Sequence, residues 1–434
     1  MAQHVTSNGI FHGLPVYAPE ISGLTAVITG TNGISGHYML RVLSQAPNRW
    51  KKIYCLSRRP PTIKGGLPDH VEHIPLDFLR DPSEIAKTLR DCNVTADHVF
   101  FFSYLQPSPQ KGQALWSNAD EMVKVNVELL ENFLQALRLA SITPSGFLLQ
   151  TGAKNYGGHL GPTKLPQEES DPRVTLESNF YYPQEDLLRA YCEETGCEWN
   201  ICMPGPITGA VPDAAMNYAY PLAIYASVCK FMNQDFIFPG DAASWQMPQS
   251  MSYAMMNAYL EEWAVLAGPG NEKFNACDDS AFTWESAWPV IAGWFGIDWE
   301  GPFDDDPEEF VEKESRYNPR GYGGKGVSRR KFTMVDRFTF GDTFAIWREI
   351  AAEHGLSVPD EKDVERIFGF LDGTLVRPAP LILSMDKAKK LGWHGFVDSK
   401  DALLEVFHDL AKLKMIPPLL STRQQPEKKR KRAS

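Results

Sequence analysis

At 434 residues, 43% hydrophobic and 22% charged, the chain is long enough for two or three domains or one elaborated one, and its composition excludes a disordered chain, a collagen or a coiled-coil rod. The formal charge is -11; the terminal run Lys428, Lys429, Arg430, Lys431, Arg432 carries +5 and so leaves -16 on the body, a poor match for a phosphate backbone, and no nucleic-acid partner is expected. Seven cysteines, an odd number without a C-x-x-C pair or a His pair at zinc spacing, read as reduced, mostly buried thiols of a cytosolic protein with no metal site. The first two dozen residues lack a charged segment followed by an apolar one, and no apolar run is long enough to span a bilayer. The nearest, Ala214 to Met232, is broken by Asn217, Pro221 and Lys230 and reads as a partly buried helix. No membrane partner is expected, and the expected location is the cytoplasm, with the basic tail leaving nuclear import open.

After an N-terminal extension, residues 1–23, short β-rich apolar runs alternate with helical segments. Strands are expected at Leu24 to Thr29, Lys52 to Ser57, Val71 to Leu76, His98 to Phe102, Gly146 to Gln150 and Trp199 to Met203. Helices are expected at Gly36 to Gln45, Pro82 to Arg90, Ala114 to Ala140 and Gln184 to Glu194. Such alternation implies an α/β fold, a Rossmann-type doubly wound parallel sheet over residues 24–204. Past Pro204 the sequence turns rich in Met, Trp and Tyr, with helices near Ala214 to Met232, Ser250 to Leu266, Trp284 to Phe295, Asp342 to His354 and Asp401 to Leu413. Residues 205–418 are therefore read as a smaller, mostly helical lobe closing over the carboxyl ends of the strands, and 419–434 as a basic, disordered tail. Within the lobe, Gly301 to Lys331 is read as an exposed excursion, for its acidic stretch (Asp304 to Asp306, Glu308, Glu309) and its glycines.

Between the first strand and the first helix stand Gly30, Gly33 and Gly36, spaced G-x-x-G-x-x-G. Glycines there allow a tight turn and close approach of backbone to a pyrophosphate, and the helix start offers free N–H groups to its oxygens. The second strand ends in Ser57, Arg58 and Arg59, where an NAD enzyme would place an acid for the ribose hydroxyls. Two guanidinium groups suit a 2′-phosphate, so NADP(H) is the expected cofactor. The expected contacts are Thr29, Gly30, Asn32, Gly33, Ile34 and Gly36 at the turn; Ser57, Arg58 and Arg59; Asp77 and Phe78 after the third strand; Ser103 after the fourth; Gln150 and Thr151 at the fifth; and Pro204 and Ile207 after the sixth. Asp77 could accept from the adenine amino group or be a plain loop aspartate.

The Tyr-x-x-x-Lys pair of short-chain dehydrogenases is missing: Tyr182, at the start of a helix, is followed at that spacing by Asp186. The fifth strand instead delivers Lys154 to the carboxyl edge of the sheet. The segments Thr151-Gly-Ala-Lys-Asn-Tyr156 and Asn179-Phe-Tyr-Tyr-Pro-Gln-Glu-Asp186 resemble motifs of the progesterone 5β-reductase and iridoid synthase-like family, atypical short-chain reductases of activated C=C bonds. So do Ser57 to Pro60, Ala223 to Lys230, Phe282 to Trp288, Asp386 to Phe396 and Lys412 to Pro417.

The resemblance implies a catalytic pair, Lys154 and Tyr182, with hydride added from NADPH to the β-carbon of an apolar enone or enal, plausibly in specialised metabolism, while the phenol hydrogen-bonds the carbonyl oxygen. The chain also departs from the family. Cys202, Met203 and Pro204 stand where histidine, arginine and proline are usual. Gly157, Gly158 and His159 are inserted before Leu160, and Thr163 replaces an aromatic residue. The expected substrate pocket takes in Tyr104, Tyr156, His159, Met203 and Tyr181, with His159 either an acid–base group or a solvated loop residue. Met203, Met216, Met232, Met247, Met251, Met255 and Met256 could form an adaptable apolar pocket or fill the core. Carbonyl reduction, a non-reductive isomerisation or cyclisation, and a non-catalytic NADP sensor stay open as alternatives. A homodimer through the long helices is also left open.

Overall fold

The computed structural model describes residues 4–63, 65–107, 118–214, 216–302 and 310–420. The basic tail, the acidic stretch 304–309 and residues 114–117 of the expected third helix lie outside them.

A hairpin, β1 (Val5–Asn8) and β2 (Phe11–Pro15), comes first. The alternation follows: β3 (Leu24–Thr29), α1 (Ile34–Ser44), β4 (Trp50–Ser57), β5 (Val71–Pro75), α2 (Pro82–Asp91), β6 (His98–Phe101), α3 (Ala119–Ala140), β7 (Gly146–Gln150), α4 (Tyr181–Thr195) and β8 (Glu198–Pro204). Beyond it lie β9 (Ile207–Thr208), α5 (Ala219–Met232), β10 (Phe236–Ile237), α6 (Ala242–Gln246), β11 (Ser252–Tyr253), α7 (Ala254–Leu266) and β12 (Glu272–Ala276). The chain continues through α8 (Trp284–Phe295), β13 (Trp299–Glu300), β14 (Val311–Glu314), β15 (Val327–Arg330), α9 (Met334–Thr339), α10 (Thr343–His354), α11 (Val364–Leu375), α12 (Asp386–Lys390) and α13 (Ser399–Lys412).

Seven parallel strands form the central sheet in the order β12-β8-β7-β6-β3-β4-β5. Ala26, Val27 and Ile28 of the middle strand are fully buried, as a strand covered on both faces requires. One face is covered by α1 and α7, the other by α2, α3 and α4. Local chemistry sets the helix ends. Asp81 caps α2 by accepting from the Ser83 N–H, with Pro82 at the first helical position, and α4 stops at Gly196 in the left-handed conformation.

The boundary expected at Pro204 is crossed. In β12, Phe274 pairs with Cys202 and Ala276 with Pro204, so the alternation resumes through α7 and adds a seventh strand. The segment Glu-Lys-Phe-Asn-Ala escapes pattern reading because an edge strand needs little apolar sequence. Nor is the N-terminal extension a loose end: Phe11 packs on Tyr253 and Tyr259, ring centroids 5.7 and 5.4 Å away, and a bridge joins His12 to Phe396. The helical lobe is built round α5, buried from Ala219 to Cys229 apart from Tyr220 and touched by α8, α10, α11 and α13. A helix apolar on all sides fits that central place. None of the seven cysteines is paired, and six are buried. Among the described residues no helix is long and apolar enough to cross a membrane.

The described part of the excursion is largely exposed, as expected, but it is ordered into a hairpin that is not free of the sheet domain. Residues 311–330 form the hairpin β14–β15, held against the sheet domain by the Tyr317 N–H to the Leu160 carbonyl (3.0 Å) and the Arg320 N–H to the Pro162 carbonyl (3.2 Å). A Cβ at Gly161 would stand 2.1 Å from the Tyr317 carbonyl oxygen, so the contact needs glycine there.

At the start of β6, His98 leaves Nδ1 buried without a partner, and burial pulls its imidazole down to about 4. The folded state stays neutral while the unfolded chain protonates below about 6.5, so this group removes stability as pH falls from about 6.5 to about 4. Buried Asp278 and Asp372, both raised to about 6, act in the opposite sense. Melting of wild type and His98→Gln compared between pH 7 and 4 is expected to show a smaller acid loss in the variant.

Candidate active site

The strand order reverses at β3, with β4 on one side and β6 on the other, and the crevice this opens at their carboxyl ends is where open α/β sheets take ligands. A cavity of about 1380 Å³ runs from it to the β14–β15 hairpin and the end of α11. That is larger than the roughly 300–1,000 Å³ of a single-ligand pocket and suits a dinucleotide with a second molecule.

At its first end the glycine turn is a cradle. Gly30 has φ +65°, and a Cβ on it would press the Phe102 backbone at 3.0 Å; one on Gly36 would stand 2.5 Å from the Gly30 carbonyl oxygen. The α1 N-terminus begins at Gly33 without a side-chain cap, leaving first-turn N–H groups facing the cavity. Ser57 accepts or donates to Thr31 Oγ1 at 2.9 Å and donates to the Arg59 carbonyl at 2.8 Å, fixing the turn that presents exposed Arg58 and Arg59. Asn32 donates to the Pro60 carbonyl, closing the same loop. Gln150 donates to Ser35 Oγ, and its Oε1, like Thr151 Oγ1, is buried without a partner among the described residues. Orphaned polar atoms over a glycine cradle at a helix start fit a dinucleotide.

Gly30, Asn32, Gly33, Ile34, Gly36, Ser57, Arg58, Arg59, Asp77, Phe78, Ser103, Gln150, Thr151, Pro204 and Ile207 all line this cavity. Thr29 does not: its buried Oγ1 accepts from the N–H groups of Phe102 and Ser103 at 3.0 and 3.1 Å, tying the tip of β3 to that of β6. Its part is to fix the crevice, not to line it.

Lys154 follows β7 in a single 3₁₀ turn, Ala153–Tyr156, and lines the middle of the cavity, where burial draws its ammonium well below the usual lysine range. Against the expectation, the one of Tyr181 and Tyr182 that lines the cavity with it is Tyr181. The Tyr181 hydroxyl lies over Gly152, 3.0 Å from where a Cβ there would be, and any side chain at Gly152 would displace it. Burial, with the Tyr104 phenol second, pushes Tyr181 above the ordinary tyrosine value, so it stays protonated. Phe180 packs edge-on against Tyr181 at 4.5 Å and tilted against Tyr104 at 5.8 Å.

Tyr182 points the other way. Its hydroxyl donates to the Asn155 carbonyl at 2.7 Å and accepts from the Val174 N–H at 2.8 Å, and it does not line the cavity. Consecutive residues at a helix start project about 100° apart, so only one of the two tyrosines can face the ligand. Tyr182 instead staples the 153–156 turn, and so the Lys154 backbone, to α4. Asp186, at the usual lysine spacing, is held by Arg173 at 2.7 Å; Arg173 also reaches buried Glu185 and lies over the Tyr182 ring.

Of the expected substrate residues, Tyr104, His159 and Tyr181 line the cavity. Tyr156 and Met203 are buried behind its wall, where Tyr156 donates to Asn275 Oδ1 at 2.7 Å. Of the methionines only Met216 reaches the lining; Met203, Met251, Met255 and Met256 fill the core, and Met232 is exposed. Sequence reading missed the lobe's contribution, above all Phe370, Arg377 and Leu381 around the end of α11 and the hairpin residues Lys313 to Arg316. No local motif marks them. Only the lobe's packing brings them to the site.

A family model described as PRISE-like Rossmann-fold domain matches residues 26–316. The (S)-8-oxocitronellyl enol synthase of Camptotheca acuminata is 29% identical over 414 residues, covering 92% of this chain and 95% of the relative. The 3-oxo-Delta(4,5)-steroid 5-beta-reductase of Arabidopsis thaliana is 28% identical over 410 residues, covering 90% and 93%. Among solved structures, a putative epimerase from Burkholderia cenocepacia superposes with a TM-score of 0.57 at 16% identity, covering 90% of this chain and 99% of that one, a likeness of fold. The chain therefore belongs to the PRISE-like family of atypical short-chain dehydrogenases/reductases, enzymes of the oxidoreductase type.

Proposed function

We propose that the protein is an NADPH-dependent reductase of activated C=C bonds in α,β-unsaturated carbonyl compounds with an apolar framework. The observation that carries this reading is the convergence of Lys154 and a protonated, cavity-facing Tyr181 with the glycine turn and the Arg58–Arg59 pair in one cavity. When bound there, a reduced nicotinamide dinucleotide supplies the hydride that adds to the β-carbon. Arg58 and Arg59 would hold its 2′-phosphate, and the α1 N-terminus its pyrophosphate.

Tyr181 does the distinctive work. As the β-carbon gains hydride, negative charge grows on the carbonyl oxygen, and a fixed phenol O–H aimed at that oxygen stabilises the enolate more than the ground state. A phenol raised above its usual value keeps its proton, so it acts as a hydrogen-bond donor and the α-carbon is protonated from solvent. Lys154, in the same cavity, would hold the ribose hydroxyls of the cofactor through its amine. Tyr104, Phe180 and Phe370 supply an apolar wall for the substrate's framework. The names of the two relatives, a steroid 5-beta-reductase and an enol synthase, both imply a carbonyl-conjugated centre of this kind.

Purified protein assayed for NADPH oxidation against cyclic enones, enals and saturated ketones, with products weighed by mass spectrometry, is expected to add two hydrogens to the C=C bond and leave the saturated ketones unchanged. NADPH consumption with alcohol formation instead would move the reading to carbonyl reduction.

A further inference from the structure

At the end of the cavity away from the glycine turn stands a cation with no counter-charge among the described residues. Arg377, just past α11, lines the cavity with its Nε buried and without a hydrogen-bond partner among the described residues. It takes part in no ion pair there, although every carboxylate lining that end is engaged: Asp213 with Arg366 at 2.7 Å, Glu314 with Lys325 at 3.2 Å, and Glu177 with Arg316. Beside it is His159, an exposed residue that lines the cavity; desolvation there, then the charges of Lys154 and Arg377, lower its imidazole to about 3 and favour the neutral form. The inserted glycines make the room. A Cβ on Gly158 would meet the Arg377 Nη2 at 4.0 Å, so a longer side chain at 158 would occupy the space in front of the guanidinium.

A half-buried guanidinium whose Nε is buried without a partner among the described residues is costly, and desolvation draws it down to about 10. Its planar fork matches a carboxylate bidentately, and a neutral imidazole alongside can donate one more hydrogen bond. We propose that Arg377, with His159 beside it, is a carboxylate-binding subsite, so that the natural substrate is an α,β-unsaturated carbonyl compound that also bears an ionised carboxylic acid remote from the C=C bond. This rests on the reductase reading above. It gives the cavity a polarity along its length: phosphates at the glycine turn, the reacting carbonyl at Tyr181, an acid at Arg377.

The test uses 4-carboxybenzalacetone and its methyl ester as a matched pair, with wild type, Arg377→Met and Arg377→Lys. Wild type is expected to favour the acid in kcat/KM by about 10–100-fold, the range of a charge-assisted hydrogen-bonded pair. Arg377→Met is expected to bring the acid-to-ester ratio of kcat/KM to about one, and Arg377→Lys to restore part of the preference. Arg377→Met is also expected to melt no lower than wild type, because it removes a half-buried charge without a partner among the described residues; a clear drop in melting temperature would mean that the guanidinium is structural and would overturn the proposal. An acid-to-ester ratio unchanged by Arg377→Met overturns it as well. Calorimetry of 4-phenylbutyrate against 4-phenylbutanamide, in the presence of NADP+, separates this inference from the reductase reading. Butyrate binding lost in Arg377→Met supports the subsite even where neither enone turns over, and equal binding of acid and amide rejects it even where both do.

Discussion

Tyr181→Phe is expected to lower kcat for enone reduction by about 10²–10³-fold, the cost of removing one donor aimed at a developing oxyanion, with KM and melting temperature little changed. The hydroxyl faces the cavity above Gly152, so its loss leaves no buried backbone group without a partner. Tyr182→Phe is expected to behave in the opposite way. Its hydroxyl satisfies the Val174 N–H and the Asn155 carbonyl, both inside the protein, and deleting it strands two polar groups at about 1–3 kcal/mol each. The variant is therefore expected to lose stability by urea unfolding and to keep most of its kcat at low temperature, with a modest loss as the 153–156 turn loosens round Lys154. Steady-state kinetics and unfolding of the two single variants together decide the assignment. Were Tyr182→Phe the inactive but stable one, the chemistry would belong to the second tyrosine and the cavity geometry would have misled.

The second large effect concerns the choice of cofactor. Arg58 and Arg59 are exposed at the tip of β4, on a loop closed by Ser57 and Asn32, and no acidic residue stands at that tip for a ribose diol. The double variant Arg58→Ser, Arg59→Ser is expected to weaken NADPH binding by about 30–100-fold, two charge-assisted contacts discounted for solvent screening, and to change NADH binding by less than about threefold. Raising the ionic strength from roughly 50 mM to 0.5 M should erode the NADPH preference of wild type and leave the variant's NADH affinity unchanged, because only the 2′-phosphate contact is strongly Coulombic. Fluorescence titration of both cofactors against both proteins reads this directly; equal losses for NADPH and NADH would mean that the arginines hold the loop and not the phosphate.

The sheet domain was legible because its signals are local. The run Leu24 to Thr29 has an apolar centre, Ala26 to Ile28, as a strand buried on both faces requires, and the glycines at 30, 33 and 36 answer to a turn and a close backbone approach within seven residues. The same locality located Lys154 at the end of β7 and the arginines at the end of β4. The two tyrosines were not separable in that way. Both open α4, and which of them meets the cavity is set by the helix's rotation against β7, a matter of packing across 27 residues of chain. Strand β12 was hidden because the sheet's edge supplies the hydrogen bonds that its short, polar sequence does not advertise.

The composition and motifs of this chain by themselves determined a parallel α/β sheet with a dinucleotide cradle, since each of those features is written in neighbouring residues. Only the tertiary structure decided that Tyr181 faces the ligand while Tyr182 braces the backbone, and that a hairpin read as a surface excursion and an arginine 223 residues from Lys154 close the far end of the cavity. The physical reason is that side-chain direction and desolvation belong to a site assembled from distant segments, and no window of sequence contains them.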